Sequence, residues 1–158
     1  MQIDPRAPRF VAAVTTVVLA IGLLTSSALV LGVQAAVFAV AAVFGVKAAP
    51  YGLIYRAFVR PRLGPPAELE DVRPVRFAQT VGLVFALVAT AGYAAGSDLV
   101  GTVATALALG AAFLNAAFGF CLGCEMYLLG RRVAARFTRT TPQPADSAAT
   151  AASKEVTA

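Results

Sequence analysis

The sequence has no histidine, only two cysteines, and a charged share of 13% in 158 residues. Without histidine, the commonest general acid/base at neutral pH and the commonest metal ligand are both missing. Two cysteines cannot build a disulfide scaffold. Soluble domains carry about 25% charged residues. Here charge is about half of that, while 59% of residues are hydrophobic and the mean hydropathy is +0.77. That balance excludes an ordinary soluble domain, and it excludes disorder over most of the chain. The length accommodates one domain.

What is present is apolar and blocked. One block runs from Phe10 to Phe44 without a charge, and a second from Phe77 to Tyr127, interrupted by Asp98 and Glu125. A membrane span needs about 20 apolar residues rising about 1.5 Å each. The first block therefore fits two spans, turning at Thr25-Ser26-Ser27 or near Gly32. The second splits at Gly92 to Asp98, where Gly92, Gly96, Ser97 and Asp98 signal a turn. The expected fold is all-α: a polytopic membrane protein with four transmembrane helices over about 10–27, 30–47, 77–95 and 99–129. They form a membrane domain over 1–137, and the Thr-, Ser-, Ala- and Pro-rich stretch 138–158 reads as a disordered tail. The first apolar run far exceeds the roughly 7–15 residues of a signal-peptide core, so the first helix is expected to be retained.

Charge sets the expected orientation. All thirteen Lys and Arg residues fall before helix 1, in the 48–76 loop and its edges, or after helix 4, while the two other loops carry only Asp98. This positive-inside pattern predicts a cytoplasmic-membrane protein with both termini cytoplasmic. The net charge of +5 is thus topological. No nucleic-acid motif accompanies it. Tyr51, Tyr55, Tyr93 and Tyr127 all fall at expected helix ends, as interfacial tyrosines do. Within the cytoplasmic loop, Tyr51 to Val59 is weakly amphipathic, and Pro61, Pro65 and Pro66 prevent a continuous helix. This loop reads as solvated with basic anchors on anionic lipid, or as a docking surface for a soluble partner.

One motif carries chemistry. The end of helix 4 reads Gly119-Phe120-Cys121-Leu122-Gly123-Cys124-Glu125. On a helix, positions three apart share a face, so the sulfurs of Cys121 and Cys124 can meet. A dithiol cycling to a disulfide carries two electrons, and Cys-x-x-Cys is the spacing of redox proteins. Cys121 and Cys124 are therefore the candidate catalytic pair, near the cytoplasmic boundary and reduced at rest. Activation requires a helix N-terminus or nearby cations. Gly119 and Gly123 could break the helix so that Cys121 starts a new turn, while Glu125 opposes Arg131 and Arg132. Gly119 and Gly123 also form a small-xxx-small pair, so the same residues read equally as a helix-packing seam. No metal is expected, because two thiolates and no histidine fall short of four ligands unless a dimer completes the set. No cofactor motif is present. Gln34, Gln79, Thr80 and Asn115 are polar residues of the apolar blocks that read as interhelical glue, and Asn115 falls off the cysteine face of a continuous helix.

At this motif the sequence resembles a bacterial integral-membrane family known as domain of unknown function 4395. The matching segments are Ile3-Asp4-Pro5-Arg6 with Pro8-Arg9-Phe10, Val59-Arg60-Pro61-Arg62-Leu63-Gly64-Pro65-Pro66, Arg76-Phe77-Ala78-Gln79, and Asn115 to Tyr127, together covering roughly residues 3–130. The Ala, Val, Gly and Arg bias suits a high-GC genome. The resemblance implies four membrane helices and an association with thioredoxin-like proteins and rhodanese-type sulfurtransferases. It also implies that Cys121 and Cys124 match the family's cysteine pair. It defines no reaction.

Three functions stay open at this point. They are thiol exchange between the pair and a cytoplasmic partner; relay or transport of a reduced-sulfur species, for which a homodimer would be needed; and a non-enzymatic scaffold role.

Overall fold

The computed structural model describes residues 2–64 and 69–138. Six helices follow one another: α1 (Arg6–Thr25), α2 (Ala28–Phe44), α3 (Pro50–Ile54), α4 (Val72–Ala94), α5 (Asp98–Phe118) and α6 (Leu122–Thr138). A π-helical turn over Tyr55–Val59 and a 3-10 turn over Arg60–Arg62 extend α3. Two short strands, β1 (Gln2–Ile3) and β2 (Glu70–Asp71), pair antiparallel, with Ile3 opposite Glu70. The described chain divides after Leu128, so α6 begins in the first unit and residues 129–138 belong to the second. The expected tail, from residue 139 on, lies outside the described residues.

Local capping explains where the helices begin. α1 starts ahead of the expected 10 because Asp4 turns the chain: its Oδ1 accepts from the Arg6 N–H at 2.9 Å and its carbonyl from the Ala7 N–H at 3.0 Å. α4 starts ahead of the expected 77 because Asp71 caps it, accepting from the Arg73 N–H at 3.1 Å. Pro74 then falls in the first turn, where its missing N–H has no intrahelical partner to lose. Between α1 and α2, Ser26 adopts the left-handed region at φ 48° and the Ser27 hydroxyl accepts from the Val30 N–H at 3.4 Å.

α1, α2, α4 and α5 form an antiparallel bundle in which α1 packs on α2 and α5, and α4 packs on α2 and α5. The α2–α4 register is legible along its length. Thr90 faces Gly32, Phe38 lies over Gly82, and the Arg76 guanidinium donates to the Ala42 and Val43 carbonyls at 2.8 to 3.1 Å. That last contact satisfies orphan carbonyls at the C-terminus of α2 with a cation, where the helix dipole favours one. Leu19, Leu31, Ala89 and Tyr93 fill one end of the bundle, and Ile3, Val11, Val46 and Val75 the other.

α1, α4 and α5 are long and apolar enough to cross a membrane, while α2 is apolar but shorter, at 17 residues. Their outward faces expose Val17, Leu24, Leu87 and Leu107. Large apolar side chains turned outward along whole helices are the pattern of a surface that meets lipid.

The structure departs from the sequence reading in two further places. The expected single helix over 99–129 is two helices, because the chain breaks at Gly119. Three of the expected boundary tyrosines turn inward: Tyr93 packs in the core with its hydroxyl 3.1 Å from the Thr102 hydroxyl, and Tyr51 and Tyr55 follow suit. Tyr55 is 2% exposed and donates its hydroxyl to Asp4 Oδ2 at 3.1 Å, and Tyr51 donates to Gln34 Oε1 at 2.9 Å. Polar partners within the protein replace the water that an interfacial tyrosine would use.

Candidate dithiol site

The site begins with the end of α5. Gly119 takes φ 71°, a left-handed conformation that glycine adopts without steric cost, and its N–H bonds to the Asn115 carbonyl at 3.0 Å. The Phe120 N–H reaches back to the Leu114 carbonyl at 3.4 Å, which closes the helix end. The chain then turns and restarts. The Cys121 carbonyl accepts from the Glu125 N–H at 3.0 Å, the first bond of α6. Cys121 is therefore the residue that caps α6, and Cys124 occupies its third helical position.

These are the two positions of a capping box. A capping side chain accepts from the backbone N–H groups two and three residues on. Here the acceptor is sulfur: the Gly123 and Cys124 N–H groups bond to Cys121, and the Cys124 thiol donates to it. The Cys124 hydrogen bond is the largest cause that lowers the Cys121 pKa from an ordinary 9 to about 7; partial burial and the Glu70 carboxylate oppose the shift. Cys124 moves the other way. Its thiol is held protonated by donating to Cys121, then by burial and by the Cys121, Glu70 and Glu125 charges. The two cysteines are thus unequal: Cys121 is shifted toward the thiolate and Cys124 is held as the thiol. Both are free and half-buried.

Packing holds this turn in place. A Cβ on Gly123 would stand 2.6 Å from the Ala78 Cβ, so α6 begins in direct contact with α4. Gly119 is placed differently from Gly123: it ends α5 beside the Arg9 side chain, 3.7 Å from where its Cβ would be. Cys121 and Cys124 together line a small cavity of about 90 Å³ with Arg9, Glu70, Gln79 and Asn115. Cys121 also borders a larger apolar cavity of about 290 Å³ between α1, α4 and α5. Among the described residues no three Cys, Asp or Glu side chains converge as a metal-ligand set.

Arg9 and Glu70 are site residues that sequence reasoning missed. Arg9 counts in the sequence only as one of the topological charges, and Glu70 falls in the loop that reads as solvated or as a docking surface. The β1–β2 pairing carries Glu70 to the start of α1, and no local signal in either segment announces it. Asn115 was set off the cysteine face by the assumption of a continuous helix. The break at Gly119 redirects the chain and lets Asn115 and Cys121 line the same two cavities.

No curated protein and no solved structure matches the chain. The family model described as a domain of unknown function, DUF4395, matches residues 3–132, and the chain belongs to that family.

Proposed function

We propose that the protein is a membrane thiol–disulfide exchange protein whose reacting pair is Cys121 and Cys124 at the cytoplasmic face. The observation that carries this reading is the capping geometry. Cys121 sulfur sits at the start of α6 with two backbone N–H groups and the Cys124 thiol donating to it. A helix N-terminus stabilises an anion, and the thiolate is the attacking form of cysteine. Cys121 attacks a partner disulfide to give a mixed disulfide. Cys124 then attacks Cys121, its proton leaving with the departing partner thiolate, and an intramolecular disulfide closes.

The membrane orientation is part of the proposal. The thirteen Lys and Arg residues support cytoplasmic termini. α5 has 21 residues, a rise of about 31 Å, which supports a pair lying just beyond the apolar core at the inner side. A cytoplasmic dithiol protein of the thioredoxin type is the fitting partner, since it supplies both a disulfide to attack and a solvent-exposed sulfur.

The tight contact of Gly123 on Ala78 favours a second reading, in which the cysteines are small residues of a packing seam. Trapping separates the two. In cells, Cys124→Ser leaves the attacking sulfur without its resolving partner and is expected to accumulate mixed disulfides. Cys121→Ser is expected to accumulate none. Equal absence from both variants, with normal protein levels, would leave only the packing seam.

A further inference from the structure

α6 is built unlike the four helices of the bundle. Each of those is far more hydrophobic on average, whereas α6 gathers its apolar residues more sharply onto one face. It is not among the helices long and apolar enough to cross a membrane. At about 100° per residue, Leu122, Met126, Leu129, Val133 and Phe137 fall within an arc of about 80°. Arg136, Glu125 and Arg132 border one edge of that arc, and Arg131 lies on the opposite side of the helix. The protein does not cover this stripe. Leu129, Val133 and Phe137 are 62%, 45% and 76% exposed.

A contiguous apolar stripe rimmed by charge marks a surface that meets a partner. Position, charge and spacing say which. α5 is long and apolar enough to cross a membrane, and only Gly119, Phe120 and Cys121 separate its end from α6. α6 therefore starts where a span ends, with lipid within reach. Three arginines against one glutamate make the helix basic. Arg132 and Arg136 stand beside the stripe, where an arginine stem can lie along acyl chains while its guanidinium meets a phosphate. A second copy of α6 fits less well. In a coiled coil the core position after Val133 is Arg136, so like charges would enter the seam, whereas this stripe continues at Phe137. A lipid surface imposes no such register.

We infer that α6 lies along an anionic lipid surface, with Leu129, Val133 and Phe137 toward the acyl chains and the arginines on the headgroup phosphates. The apolar face of such a helix sinks about 5–10 Å into the boundary between headgroups and acyl chains. This surface belongs to α6 alone and is independent of the thiol chemistry. Cys121 caps the helix, so α6 held along the headgroups keeps that sulfur at their level.

The chain has no tryptophan, so one introduced indole reports on one place. Phe137→Trp and Val133→Trp put it on the stripe, and Ala135→Trp puts it on the far side of the helix. Each full-length variant is reconstituted into vesicles of phosphatidylcholine and phosphatidylglycerol in equal parts. Phosphatidylcholine brominated on its acyl chains quenches an indole that touches lipid, and acrylamide quenches one in water. The two stripe indoles are expected to emit at shorter wavelength, to be quenched by the brominated lipid and to resist acrylamide. The Ala135→Trp indole is expected to be quenched by acrylamide and little by bromine. In phosphatidylcholine alone the lipid-bound fraction should fall, because each basic residue near an anionic surface strengthens adsorption about fivefold. Free access of acrylamide to all three indoles would place α6 in water and overturn the inference. Stripe indoles shielded from acrylamide yet untouched by bromine would be covered by protein, the bundle or a second copy, and would overturn it too. Bromine quenching of all three alike would show an inserted helix instead of an adsorbed one. Stripe quenching as strong in phosphatidylcholine alone would overturn the assignment to anionic lipid.

Discussion

Replacing Cys124 by alanine removes the strongest of the hydrogen bonds that hold Cys121 as a thiolate, and the consequence can be worked out. Cys121 titrates at about 7 against an ordinary 9. At pH 7 a thiol titrating near 7 is about half ionised, and one titrating at 9 about one-hundredth, so the thiolate population falls by at most about fiftyfold. The more basic thiolate is the better nucleophile, with a Brønsted coefficient of about 0.4–0.5, and this returns about six- to tenfold. The net fall in alkylation rate at pH 7 is then about five- to eightfold at its limit, and less where the Gly123 and Cys124 N–H groups still donate. The direction of the pH profile is firm. Loss of a donor raises the pKa, so the midpoint of Cys121 alkylation by iodoacetamide moves from near 7 toward 9, and the high-pH plateau rises. Alanine is a strong helix former, so α6 keeps its start. Peptide mass spectrometry across pH 5–10 reads the profile. An unchanged midpoint in Cys124→Ala would show that the Cys124 thiol is not the donor and refute the capping argument.

Other perturbations follow from the same geometry. Glu70→Gln removes a carboxylate that raises both thiols, so the Cys121 alkylation midpoint moves to lower pH. A midpoint that stays put or rises would contradict it. Gly123→Ala drives a Cβ into Ala78 and is expected to cost about 1–3 kcal/mol in denaturant titration; Ala78→Gly in the same chain should recover part of the loss. Gly119→Ala forces a side chain into φ 71° with no clash beyond it, so about 1–3 kcal/mol of destabilisation is expected from backbone strain alone. Tyr51→Phe leaves both polar ends of the Gln34 amide unpaired, whereas Tyr51→Phe with Gln34→Met should be closer to wild type in thermal stability.

The bundle was legible because apolar blocks and turn residues act locally. Ser26-Ser27 and Gly92 to Asp98 each mark a helix boundary by their own backbone preferences, and the helices follow. The cysteine pair was legible from spacing alone. The break before it was visible only as a potential of Gly119, since a glycine near the end of a periodic run can be either a cap or a packing residue. What was hidden is what long-range pairing delivers. Glu70 reaches the thiols because β2 pairs with β1, and Arg9 because α1 lies beside the end of α5. Tyr51 and Tyr55 turn inward for the same reason: Gln34 and Asp4, far away in sequence, offer them partners, while Tyr93 finds Thr102 across the nearby α4–α5 turn. Periodicity reports which face of a helix is apolar, but it does not report what stands opposite.

The most direct test of the account is an equilibrium titration of the purified chain in dithiothreitol buffers of graded redox ratio. Thiols are trapped by an alkylating maleimide and counted by intact mass. The account predicts one cooperative two-electron transition, from two labels to none, with the disulfide mapping to Cys121–Cys124 and lost in either single serine variant. Two labels retained under the most oxidising buffers, with the protein folded, would contradict it.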